Sequence, residues 1–200
     1  MSAYIDFTTV SKVEKQFGLK QVRTSLLLGG SEVAASIRLK EDLAEAQQYY
    51  SLTSEKAKSE LLIMPVLKEL RRTYLSTINV FSGISLEVVS ADLSGYCDFI
   101  LSLSPNSFEL KAPIFCLVEA KNRSVEEGFG QCAAEMYAAM LFNEIEGSPC
   151  TEMYGAVTTG YDWAFLHLQN KVISIDTDRY GLLNLPQLLG VFQRLITPFI

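Results

Sequence analysis

A chain of 200 residues, 48% hydrophobic and 20% charged, is long enough for one sizeable core. No apolar run approaches the ~20 residues a bilayer-spanning helix needs, so no membrane-spanning helix is expected. The formal net charge is −6, with 11 basic and 12 acidic groups in residues 1–100 and 6 and 11 in residues 101–200, which argues against a general polyanion binder but permits a local basic groove.

The N-terminus "MSAYIDFTTVSKVEK" lacks a basic start followed by an apolar run, so no signal peptide is expected. "TTVSKVEKQFG" reads as a short helix, begun at Thr8 or Thr9 and stopped by Gly18. Lys12, Lys15, Lys20 and Arg23 form a basic stretch that reads as a solvated face. Residues 24–52 are ambiguous, with "EDLAEAQQYY" helical. Residues 53–74 give the first strong helix, capped by Thr53 or Ser54 and kinked at Pro65. "FSGISLEVVSADLSGYCDFILSLS" predicts two strands turning near Asp92–Gly95, and "APIFCLVEAKN" a third. A second strong helix covers 124–147, with Ser124 as cap and Gly147 as stop. "YGAVTTGYDWAFLHLQNKVISID" predicts two or three strands, and "LPQLLGVFQRLI" a closing amphipathic helix. The order predicts an α/β class, a mixed central sheet flanked by helices, in one domain. Residues 1–52 are expected as a helical extension, 53–180 as the core and 181–200 as a C-terminal helix.

Cys97, Cys116, Cys132 and Cys150 are dispersed without C-x-x-C spacing. Reduced thiols, no zinc site and a cytoplasmic protein are expected. The sole histidine, His167 in "AFLHLQ", excludes multi-histidine metal sites and reads as a half-exposed strand residue.

Three charges stand inside the most apolar strands. Asp98 lies in "GYCDFIL", and Glu119 and Lys121 close "FCLVEAK". Alternation along a strand places Glu119 and Lys121 on one face. If the two strands are neighbours, the carboxylates converge, and buried carboxylates demand cationic partners. Lys121 can neutralise one of them; a divalent metal held by Asp98, Glu119 and the backbone carbonyl of Ala120 answers the rest. Lys121 would then orient or deprotonate a water, or stabilise developing charge. An ordinary ion pair at a sheet end is the plain alternative. Glu60 falls inside the apolar stripe of Ile63, Met64 and Leu67, which makes it the candidate helix carboxylate, with Glu55 as the alternative. Gln131 and Glu135, four apart on the second helix, either reach the strand ends or form a surface pair, while Ala133, Ala134, Ala138 and Ala139 allow close packing on the sheet.

A helix glutamate, then Gly95-x-x-Asp98, then Glu119-x-Lys121, then a helix carrying Gln131 resembles the PD-(D/E)xK nuclease superfamily. "SELLIMPVLKEL", "GQCAAEMYAAM" and "VTTGYDWAFLHL" are most similar to the N-terminal nuclease domain of type I restriction enzyme R subunits, and the run is similar to small cyanobacterial proteins of this size. The likeness covers about residues 53–170 and places nothing on 1–50. It implies a restriction endonuclease-like α-β-β-β-α-β core and a magnesium-dependent phosphodiester hydrolase acting on DNA, with manganese able to substitute. It further implies metal ligation by Asp98 and Glu119, catalysis by Lys121, and support from Glu60 or Glu55 and Gln131. Cys97 stands where the family has proline, and Glu135 where its helix carries tyrosine, with Tyr137 two positions late. No phosphate-cradling G-x-x-x-x-G-K-[ST] occurs, so a motor is not expected.

The competing expectation is a non-cleaving binding or regulatory module of the same fold, joined to a protein partner. The apolar end of "LPQLLGVFQRLITPFI" suits a homodimer or partner interface, or docks on its own core. A hydrolase of a small phosphorylated molecule ranks below both.

Overall fold

The computed structural model describes residues 2–26 and 28–199. In chain order the strands are β1 (Ser2–Ala3), β2 (Lys20–Thr24), β3 (Asn79–Val88), β4 (Leu93–Ser102), β5 (Ile114–Ala120), β6 (Glu152–Thr158), β7 (Asp162–Gln169), β8 (Val172–Asp176) and β9 (Tyr180–Gly181). The helices are α1 (Val10–Phe17), α2 (Ile37–Tyr49), α3 (Glu55–Lys58), α4 (Met64–Thr73), α5 (Phe129–Ile145) and α6 (Leu185–Ile196). Among the described residues no helix is long and apolar enough to cross a membrane.

The strands form one mixed sheet in the order β3-β4-β5-β6-β7-β8-β2, with β1 on β4 and β9 on β7. β5 and β6 run parallel, as do β8 and β2, and the other pairs along this order are antiparallel. Every residue of β5 is buried, which is why it reads as a near-continuous apolar run: a central strand covered on both faces has no solvent side. Alternate residues divide between two cores. Phe115, Trp163 and Phe165 pack with Leu39, Val66, Leu70, Phe192 and Leu195 from α2, α4 and α6. Leu117, Val157 and Leu166 pack with Val13 of α1 and Ala133, Met136 and Ala138 of α5.

Local chemistry sets the helix ends. The Ser54 hydroxyl accepts from the Ala57 amide, Ser36 caps α2 by accepting from Leu39, and Ser124 accepts from the Glu126 amide before α5. Gly18 follows α1 and Gly147 follows α5, both in the left-handed region at φ 66° and 71°. The four alanines of α5 are wholly buried, as their size suggests.

Two features differ from expectation, and a third decides between the two placements expected for the C-terminal tail. The N-terminal segment is more than a helical extension: residues 1–52 hold α1 and α2 and also the two strands β1 and β2, which pair with β4 and β8. β2 is almost entirely exposed, so it carries no apolar signature. The helix over 53–74 is three pieces, α3, a π turn at Ser59–Ile63, and α4. Pro65, which has no N–H to donate, lies in the first turn of α4, one residue after the π turn. The apolar tail folds back: α6 buries Leu188, Val191, Phe192, Leu195 and Ile196 in the protein's own core, so those residues are not open to a second chain.

Candidate active site

Phe99 of β4 pairs with Val118 of β5 in an antiparallel ladder. One step further, Asp98 and Glu119 come level at the end of the pairing, and Asp98 Oδ2 accepts from the Ala120 amide at 2.8 Å. On the other side, the β3–β4 ladder passes from Ser82–Phe99 to Ile84–Cys97 and skips Gly83 and Asp98. Gly83 holds φ 63°, a conformation open to glycine, and a Cβ there would meet nothing within 4 Å. Above this gap lies a cleft of about 360 Å³ lined by Glu55, Ser59, Ser82, Gly83 and Asp98 among others.

Glu119 and Lys121 project to the α5 side, as strand alternation requires. The Lys121 ammonium donates to Glu119 Oε1 at 2.5 Å and to Gln131 Oε1 at 3.1 Å. The Gln131 amide donates in turn to Glu135 Oε1 at 3.0 Å. Glu135 is wholly buried, and its carboxyl lies within hydrogen-bonding reach of Glu119. The four side chains therefore close a ring. α5 is held against β5 at both ends, here by Gln131 and at the far end by Asn143, which bonds both the amide and the carbonyl of Ile114 at 2.7 Å.

The electrostatics follow from two buried carboxyls, Glu119 and Glu135, and the half-buried Asp98 sharing one ammonium. Burial, and then the Asp98 charge, push the Glu119 carboxyl up to about 8 against the pull of Lys121. Burial, and then Glu119, hold Glu135 well above the ordinary carboxylate range. Asp98 is raised by burial despite the Ala120 amide and Lys121. Burial alone would depress Lys121, but Glu119, with Glu55 and Asp98, more than offsets it, so this side chain stays an ammonium. If both glutamates are ionised, Glu119 Oε2 and Glu135 Oε2 are buried without a partner. A proton held between them, or a cation beside Glu119, supplies one.

Asp98, Glu119, Ala120, Lys121 and Gln131 are thus brought together. Glu60 lines the same cleft as Asp98 and Glu55, but its side chain is exposed and pairs with Lys56 at 2.8 Å. Its expected place on the core stripe assumed a regular helical period, whereas the i→i+5 bonding of the π turn admits an extra residue and shifts the phase. Glu55 is the helix carboxylate that feels Lys121 and Asp98; partial desolvation raises it and Lys121 opposes the rise. Lys58 reaches the same loop, donating to the Asn122 carbonyl at 2.6 Å. Glu135 is the member that sequence reasoning left open as a surface residue. Its flanking alanines were the available sign of burial.

Among the described residues no group of three or more His, Cys, Asp or Glu is arranged to hold a metal. Magnesium asks for less: one or two carboxylates, with waters and phosphate oxygens completing its shell. Asp98 and the unpartnered Oε2 of Glu119 fit that donor set, and the excess of carboxyls over cations fits a hard divalent ion. His167 lies elsewhere, bonded to Glu152 at 2.8 Å and stacked on Tyr154. The four cysteines are free thiols, with Cys97, Cys116 and Cys132 buried. No protein-family model matches the chain, and no curated protein matches its sequence.

Proposed function

We propose that this chain is a magnesium-dependent nuclease with a restriction endonuclease-like core, hydrolysing phosphodiester bonds in DNA. The observation that carries the reading is the meeting of Asp98, Glu119 and Lys121 at the ends of two adjacent strands, with Asp98 opening on a cleft. The succession of helix, β3, β4, β5, α5 and β6 supports it. Asp98, Glu119 and the Ala120 carbonyl would hold the ion, and bound magnesium or manganese would supply an activated water and offset charge on the phosphate. Lys121, kept charged by its neighbours, donates hydrogen bonds to a non-bridging phosphate oxygen instead of accepting a proton from water. Glu55 helps to order the approach from the α3 side, and Gln131 holds the ammonium in place. Arg123 in the loop after β5 and Lys58 at the end of α3 offer cationic contacts to the DNA backbone despite the acidic whole.

The test is incubation of the purified chain with plasmid and with single-stranded DNA in magnesium or manganese. Cleavage is expected, together with its loss in Asp98→Ala and Lys121→Ala. Cleavage that survives both substitutions sinks this mechanism. The closed Glu119–Lys121 pair favours one rival, a non-cleaving module of the same fold. That reading wins if calorimetry detects no divalent-metal binding and no DNA is cut.

A further inference from the structure

Glu135 is a costly residue to keep. It is wholly buried in α5, makes no ion pair, and leaves Oε2 without a partner when ionised. Apart from Glu119 and, further off, Asp98, the side of the sheet it occupies is apolar or weakly polar, with Cys97, Cys132, Ala133, Ala134, Ala138 and Ala139 all buried there. A hydrophobic residue of similar volume would serve that packing better, because a buried polar group that is only half satisfied is a net cost. Besides lying next to Glu119, Glu135 accepts from Nε2 of Gln131 at 3.0 Å. An amide has two unlike ends. With its NH2 group occupied by Glu135, Gln131 must turn its oxygen toward Lys121, where it accepts from the ammonium at 3.1 Å. With the amide reversed, an NH2 group would face an NH3+ group and Lys121 would lose one of its two anchors.

We propose that Glu135 is a positioning residue: it fixes the orientation of the Gln131 amide and, through it, the place of the Lys121 ammonium. The catalytic importance of Lys121 rests on the nuclease reading; the relay itself does not. Glu135 thus takes up the helix position at which the resembling family carries tyrosine, with a group that orders the glutamine one turn earlier.

The full-length chain, labelled with 15N and free of metal, is compared by NMR as wild type, Glu135→Met, Glu135→Ala, Glu135→Gln and Gln131→Ala. Met fills the site without an acceptor, and Gln keeps an acceptor oxygen. In E135M and E135A the Gln131 side-chain amide protons should exchange at least tenfold faster, and the Lys121 Nζ signal should move as far as it does in Q131A. E135Q should restore both. E135M should melt no lower than wild type, an outcome a purely structural role would not give. If DNA is cleaved, E135M should lower kcat about tenfold or more with KM unchanged, and E135M combined with Q131A should be no worse than Q131A alone. Unchanged Gln131 and Lys121 signals in E135M, or equal losses in E135Q and E135M, overturn the relay. An inactive wild type whose NMR responses are as expected instead overturns the nuclease reading and leaves the relay standing.

Discussion

Glu119 holds the most demanding position in the molecule. Its side chain is 2% exposed, its one cation is Lys121, and Asp98 stands beside it. A carboxyl so placed binds either a proton or a cation, and this is the physical basis for expecting divalent-metal binding. Mn2+ titration by calorimetry should detect a site in the wild type and none in Asp98→Asn or Glu119→Ala, whereas Gln131→Ala, which removes no proposed ligand, should leave metal affinity within about threefold. The two helix glutamates give a sharper contrast. Glu60 pairs with Lys56 on the wall of the cleft, while Glu55 is coupled to Lys121 and Asp98. Glu60→Ala should change cleavage by less than about threefold and leave Tm unmoved, and Glu55→Ala should slow cleavage by about tenfold. Equal effects would place the π turn's phase shift in doubt. At this scale the sequence was legible where alternation governs, at Glu119 and Lys121, and illegible where a π turn takes a side chain off the buried stripe, at Glu60.

At the scale of elements, α4 grips the start of α2 through one carboxylate. Glu69 accepts from the Ser36 amide and hydroxyl at 2.9 Å each, and from Arg72 at 2.9 Å. Burial alone would raise this carboxyl, but the hydrogen bonds from Arg72 and Ser36 outweigh it and hold the group below its usual 4.5. A depressed folded-state value means stability that is present above the unfolded value and lost as pH falls through the folded one. Glu69→Gln should therefore cost about 2 kcal/mol at pH 7, by urea denaturation. The gap to wild type should shrink as pH drops below about 4.5; a gap constant down to pH 2 would contradict this account. α5 makes a second close contact. Any Cβ on Gly130 would collide with the Phe7 carbonyl and the Thr9 backbone, so Gly130→Ala should cost about 3 kcal/mol by the same measurement.

For the molecule as a whole, the sheet is closed at one edge by the N-terminal segment and covered on one face by the C-terminal helix. Phe192 of α6 stands edge-on to Trp163 and Phe165 with ring centroids 5.5 and 5.4 Å apart. Phe192→Ala should lower stability by about 3–5 kcal/mol. Removal of residues 1–52 takes away β1, β2 and the helices α1 and α2 that cover both faces, so the remainder should show no cooperative thermal transition. A truncated chain that melts sharply would restore the view of 1–52 as an appendage.

The class of the fold, the strands β3 to β8 and the helices α1, α5 and α6 were determined by the sequence itself, because apolar period, capping residues and turn glycines act over a few neighbouring positions. The same locality put Glu119 and Lys121 on one face and marked Asp98 as out of place in its strand. Only the tertiary structure decided that Asp98 and Glu119 come level, since register is a property of two strands. It also decided that β2 completes the sheet, that Glu55 is coupled to the ammonium while Glu60 pairs with Lys56 in the same cleft, and that Glu135 is buried behind Gln131. Each of these depends on contacts between residues far apart in the chain, and a period read along one segment carries no record of its partner.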